Sequence, residues 1–480
     1  MVEVVENIKA KFVDLCIEAN QRIRSTEVPN MIAKIAFLAV LYIIAIFWTP
    51  AFYIAIFASS ILIFLEFDYK SIAYFLFFYV WANFAIGRGA VWSMAGVYMT
   101  VCIIKAIFFE PRSELKKLIW MGIAFVPILA YVFVGKFWVN SITVLFLCIL
   151  LMLVVYANDK IGFKQMALYF VFGILISCCV GLFAQSFNLL GHRIPDHRVD
   201  GLIRFTGLTT NPNVLYGHIL CGISVLLVLH LKGLLKFWQM SAMLVGLSVF
   251  GFMTFSRGFY LFFAVILSVY IGLLILKERA NSLRIIALMF VIMLATCGIL
   301  YKYTFPAIEW ALRSFETERT RHQESFINVE VDNIIEQIDD TERFDPGRFG
   351  IWQMNIKLWL DNPKNFLFGT GLDSKNLGNM RQHNDLIFIF VKTGVVGAVS
   401  FAFFFGAMFY ILYGAERRKF TLAPFLIIIA VICLGLIEPA FPKMRFFEYI
   451  FLYVLAVGAS GLKAQNSTQK QLVAPEQILE

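Results

Sequence analysis

Apolar runs of about 17–22 residues, separated by short polar stretches, recur along most of the chain, and each is long enough to cross a bilayer as a helix. Spans are predicted at 31–48, 51–67, 71–87, 89–109, 118–134, 141–157, 165–186, 214–231, 237–255, 258–276, 285–301, 385–412, 420–437 and 448–462. Very short links join the first four, so the expected count is twelve to fourteen. The predicted fold is all-α: a polytopic transmembrane helical bundle with one large, partly helical loop outside the membrane. Residues 1–30 read as an amphipathic segment on the inner surface, and 31–301 as membrane helices interrupted by a polar loop at 187–213. The large loop is expected at 302–383, the last membrane helices at 384–462, and an inner tail at 463–480.

A loop of this length is expected to carry helices of its own. FPAIEWALRSFETE and FINVEVDNIIEQI read as two. DPGRFGIWQMNIKLWLDNP marks a third: Asp345 can cap it, Pro346 suits its first position, and Asn362-Pro363 ends it. Phe349, Trp352, Ile356 and Trp359 then share one face, expected to rest on the membrane interface or on the other outer loop.

Composition agrees with a membrane protein. The 480 residues are 60% hydrophobic and only 15% charged, and mean hydropathy is +0.77. A soluble chain of that composition would leave far too much apolar surface in water. The formal charge of +9 would suggest a nucleic-acid partner in a soluble domain. Here the excess sits in short connections, no nucleic-acid signature accompanies it, and membrane orientation explains it. Of the eight cysteines, all but Cys16 fall in apolar spans, which argues for packing residues and against a disulfide framework.

With the N-terminus inside, alternation puts Arg112, Lys116 and Lys117, then Lys160 and Lys164, Lys232 and Lys236, Lys277, Arg279 and Arg284, and Arg417, Arg418 and Lys419 all on the inner side. Both long polar stretches then lie outside, so one orientation satisfies every basic cluster.

Three outer stretches carry candidate chemistry. In RFTGLTTNPN, residues 204–213, Asn211-Pro212 opens a helix whose unpaired N–H groups and positive dipole end face outward, with Arg204 nearby. In FSRG, residues 255–258, Ser256 can cap the next inward-running helix and Arg257 lies in its first turn. Arg348 lies in the first turn of the loop helix. An arginine there opposes the helix dipole, so a bound anion would reconcile the two positive features, and guanidinium suits phosphate. The bland alternative pairs each arginine with a loop carboxylate or a lipid headgroup.

His383, in RQHNDLIFIFVKTG, lies at the mouth of the helix expected from 385. Gly394 is eleven residues on, almost three turns and roughly 16 Å along the axis, so a continuous helix would put both on one face. His383 could act as a general base with its tautomer held by Asp385, or could simply face water. His192, Arg193, His197 and Arg198 make the first outer loop basic, His218 and His230 read as packing or solvated residues, and His322 as solvated. Glu330-x-Asp332 could hold a divalent ion, although carboxylates are common in solvated loops, and no metal is expected.

In this order and spacing, RFTGLTTNPN, FSRG, GRFGIW in a long outer loop, and HND with a glycine following His383 resemble the O-antigen ligase and polymerase superfamily of bacterial inner membranes. The likeness covers about residues 160–412. It implies transfer of a glycan from undecaprenyl pyrophosphate onto an acceptor sugar at the periplasmic face, without metal, nucleotide or other cofactor. Carried over by position, Arg204 and Arg257 would bind the pyrophosphate with Asn211 and Asn213 beside them, Arg348 would be the loop's contribution, and His383 the catalytic base. The histidine-glycine spacing looks more like the ligase, whose acceptor is lipid A–core, than the polymerase, which joins lipid-linked repeat units. The resemblance implies a multi-pass inner-membrane protein with cytoplasmic termini, membrane lipids as neighbours and no nucleic-acid partner. A transporter or flippase of lipid-linked sugars is the rival class. It would need polar residues along its spans, for which Glu66, Lys105 and above all Lys392 are the candidates.

Overall fold

The computed structural model describes residues 27–48, 50–65, 163–187, 198–199, 202–209, 211–277, 347–370 and 385–413, and the single positions Lys11, Ile123, Val126, Leu426 and Ile429. The expected spans at 71–87, 89–109, 141–157, 285–301 and 448–462, the two other loop helices, the metal candidates Glu330 and Asp332, and His383 lie outside the described residues. So do all but single positions of the spans at 118–134 and 420–437.

Helices α1 (Glu27–Phe47) and α2 (Pro50–Leu65) form a pair, with Tyr42 edge-on against Phe52 at 5.9 Å. A second group consists of α3 (Phe163–Ser186), α4 (Pro212–Leu231), α5 (Phe237–Met253) and α6 (Arg257–Lys277). Between α3 and α4 lies the one departure from an all-helical chain among the described residues, an antiparallel pair of two-residue strands. They are β1 (Arg198–Val199) and β2 (Leu202–Ile203), with Arg198 opposite Ile203. A third group comprises α7 (Gly347–Leu360), α8 (Pro363–Phe368) and α9 (Asp385–Tyr413).

Among the described residues, three helices are long and apolar enough to cross a membrane: Ala167–Ser186, Pro212–Leu231 and Gly258–Leu276. They are not equivalent. The Pro212–Leu231 span is 94% buried within the protein, against 33% for Gly258–Leu276, so α4 is the central helix and α6 keeps an outward apolar face. In lipid, burial of apolar groups gives little drive for helices to associate, so packing and close backbone approach must do it. Ile174 of α3 and Leu247 of α5 close over Gly222 of α4. Gly181 of α3 lies against the backbone of Gly207 and Leu208, where any side chain would overlap it. That contact seats the segment leading into α4 directly on α3.

The expected single span from 385 is interrupted. Gly394 has φ 64° and ψ −173°, which breaks α9 into two half-helices. The inference that His383 and Gly394 share a helix face falls on His383, which lies outside the described residues. On the expected loop-helix face, Trp359 stacks on Phe366 of α8 at 5.3 Å and contacts Phe390 of α9 at 5.2 Å, while Ile356 is 39% exposed.

Candidate functional site

The N-terminal ends of α4 and α6 meet. Asn211 is extended (φ −151°, ψ 127°), its side chain accepts the N–H of Asn213 at 2.7 Å, and Pro212 begins α4 as expected. Asn211 therefore shapes the helix start. Asn213, one position into the first turn, is the junction: its Oδ1 accepts from Arg204 Nη2 at 3.0 Å and from Ser256 Oγ at 3.2 Å. Ser256 was expected to cap α6 through its side chain, but its hydroxyl reaches across to α4 instead. The cap role stays with its backbone, whose carbonyl accepts the Phe259 N–H at 2.9 Å.

Arg204 is half-buried and held in two directions, because its Nε also donates to the Thr254 carbonyl at 3.0 Å. The neighbouring backbone follows the same course: Phe205 N–H donates to the Met253 carbonyl at 2.9 Å, and the Phe205 ring stacks on Phe250 at 5.6 Å. The segment after β2 is thus sewn to the end of α5 before α4 starts. These two acceptors fix the orientation of the guanidinium.

The turn from α5 to α6 contains Phe255 with φ 45°, the one non-glycine residue in the left-handed region among the described residues. For a bulky side chain that conformation costs roughly 1–2 kcal/mol. Phe255 is 7% exposed, so packing around its side chain holds the turn in place. The strained turn brings Ser256 up to Asn213 and starts α6 at Arg257. Close by, the Thr206 hydroxyl is buried and has no hydrogen-bond partner among the described residues.

Of the expected site residues, Arg204, Asn211 and Asn213 thus stand together, with Ser256 joining them. Arg257 begins α6 beside Ser256, and Arg348 lies in the first turn of α7 in the third helical group. His383 precedes α9 by two residues and lies outside the described residues. Sequence reasoning missed Thr254 and Phe255. A backbone carbonyl and a φ value leave no mark in residue identity, although a bulky residue flanked by Thr and Ser-Arg-Gly at a helix junction was a usable hint of a forced turn.

Two other histidines among the described residues, His218 and His230, are structural. His218 is fully buried in α4 with Nδ1 2.8 Å from the Val214 carbonyl. His230, near the far end of α4, has Nδ1 2.8 Å from the Tyr270 hydroxyl of α6 and an edge contact with Phe237. Contacts at Asn213–Ser256 and again at His230–Tyr270, roughly 20–25 Å further along, show that α4 and α6 run parallel.

No curated protein matches the chain. Residues 242–402 match the family model described as O-antigen ligase, a stretch that takes in Ser256, Arg257, Arg348, His383 and Gly394. Arg204 and Asn213 precede it and are tied into it by their bonds to Thr254 and Ser256. Over that stretch, about a third of the chain, the protein is similar to the O-antigen ligase family.

Proposed function

We propose that the protein is an O-antigen ligase-like glycosyltransferase, moving a glycan from undecaprenyl pyrophosphate to the sugar of lipid A–core at the periplasmic face of the inner membrane. The observation that carries the reading is the clasp of Arg204, Asn213 and Ser256 at two helix N-termini, joined by hydrogen bonds to the stretch that matches the family. Two helix starts and a fixed guanidinium make a preorganised setting for a diphosphate, which needs its charge met and no proton.

In the reaction, His383 takes the proton of an acceptor hydroxyl as that oxygen attacks the anomeric carbon. The carbon–oxygen bond to the pyrophosphate breaks, and its electron pair leaves with the phosphate, stabilised by Arg204 and Arg257, with Arg348 closing from the loop. Attack opposite the leaving group inverts the anomeric centre. No step requires a metal.

The test uses purified protein in lipid nanodiscs with the lipid-linked glycan donor, with chelator and no added metal, and with lipid A–core present or omitted. Product only with lipid A–core supports ligase; longer lipid-linked glycan without it means polymerase. His383→Ala is expected to lower turnover by about 10²–10⁴-fold with donor binding kept, and Arg204→Ala to raise the donor KM. Wild-type turnover in His383→Ala would remove the base assignment.

The flippase reading has one observation in its favour: Lys392 is buried at 7% exposure beside the break in α9, and interrupted helices line substrate paths in transporters. Movement of the donor across liposomes without a new glycosidic bond would support it.

A further inference from the structure

The break in α9 is occupied by the protein's own backbone. An unbroken helix would give the Val391 carbonyl to the N–H of residue 395. Instead it accepts the Thr370 N–H at 2.8 Å, and the Thr370 hydroxyl at 3.3 Å. Around this bond two glycines interlock. A side chain on Gly394 would overlap the Leu367 carbonyl and the Gly369 nitrogen, and one on Gly369 would overlap the carbonyl of Lys392 and the nitrogen of Thr393. Both have positive φ, 74° and 64°, so contact and conformation each require glycine.

The contact is continuous with a rigid unit. Asn362 caps α8 by accepting the Lys364 N–H at 2.8 Å, Asn365 Nδ2 donates to the Leu358 carbonyl at 3.3 Å, and Trp359 Nε1 donates to the Phe366 carbonyl at 3.1 Å. Trp359 then reaches Phe390 of α9. Helix α7, with Arg348 in its first turn, is therefore fixed through α8 to the first half of α9, the half that His383 enters in sequence.

We propose that the Gly369–Gly394 interlock, closed by the Thr370–Val391 hydrogen bond, is a latch that positions the loop helix bearing Arg348 relative to the segment bearing His383. The latch rests on the glycan-transfer reading for its purpose, and on backbone geometry alone for its existence. Gly369, Thr370 and Gly394 are positioning residues. Their contacts are with the backbone of Leu367, Val391, Lys392 and Thr393 and with one another, so disturbing them is expected to separate chemistry from donor binding.

The experiment uses the full chain in lipid nanodiscs. Hydrogen exchange at the Thr370 amide is expected to be slow in the wild type and fast in Gly369→Ala and Gly394→Ala, while Thr370→Pro removes that N–H altogether. In the transfer assay these variants are expected to lose about a hundredfold in kcat, the scale of an ångström of misplacement, while the donor KM moves less than about threefold. Thr370→Val keeps the N–H and is expected to behave like wild type. Because both glycines act through one contact, the double Ala variant should be no worse than either single one. If the glycine variants do not fold, Thr370→Pro decides alone. Fast exchange in the wild type overturns the latch. Variants whose kcat is unchanged, or whose kcat and donor KM worsen together, overturn the positioning role. A wild type that forms no glycosidic bond overturns the transfer reading and that role with it, while slow Thr370 exchange would still establish the latch.

Discussion

Asn213 accepts from two side chains at one oxygen, so Arg204 and Ser256 share a single acceptor atom. Asn213→Ala leaves both donors without that acceptor and is expected to cost about 1–3 kcal/mol, read as a lower unfolding midpoint in detergent. Asn213→Asp keeps the acceptor and adds charge beside the guanidinium, so it should hold stability; equal midpoints for the two variants would mean the shared oxygen contributes nothing. Arg204→Lys tests the fork itself. Nε and Nη2 bond in different directions, to Thr254 and Asn213, and an ammonium on a flexible stem cannot reproduce both. It is expected to match Arg204→Ala in donor KM, and recovery to wild type would show that charge alone suffices.

Among the helices, α4 and α6 have similar hydropathy, 2.1 and 2.6 over their spans, and opposite surroundings. Leu226 of α4 is fully buried, whereas Leu261 of α6 is 53% exposed. Leu226→Ala opens a cavity inside the bundle and is expected to cost about 2–5 kcal/mol. Leu261→Ala exchanges side-chain contact for contact with lipid and should cost under about 1 kcal/mol, because lipid tails are as apolar as leucine. Reversed costs would mean that α6, and not α4, is the central helix. Hydropathy alone could not have separated these two, since it reads the polarity of a residue and not its neighbour. The interruption of α9 was hidden for a related reason: Gly394 sits in an apolar run like many membrane glycines, and its φ is set by the chain that docks against it from Gly369.

For the molecule as a whole, the proposed chemistry needs the clasp and the α7–α8 unit on one side of the membrane, and the turn between α4 and α5 on the other. Lys236 and Lys364 are both exposed, and the proposed orientation puts them on opposite sides. In intact cells a membrane-impermeant thiol reagent is expected to label Lys364→Cys and to spare Lys236→Cys, measured against the native cysteines as background. Labelling of Lys236→Cys from outside would invert the chain and put the clasp in the cytoplasm.

Residue identity was enough to mark the membrane class, the helices at 163–186, 212–231, 237–253 and 257–277, the Asn211-Pro212 start of α4 and the loop helix ending at Leu360. All of these follow from local periodicity and capping chemistry within a few neighbouring residues. The meeting of Arg204 with Thr254, of Asn213 with Ser256 and of Gly369 with Gly394 could not be read in the same way. Their partners are 50, 43 and 25 positions apart, and half of the groups that join them are backbone atoms common to every residue. Contacts of that kind exist once α4 is enclosed by its neighbours and the loop is folded onto α9, so long-range packing, and no local pattern, creates them.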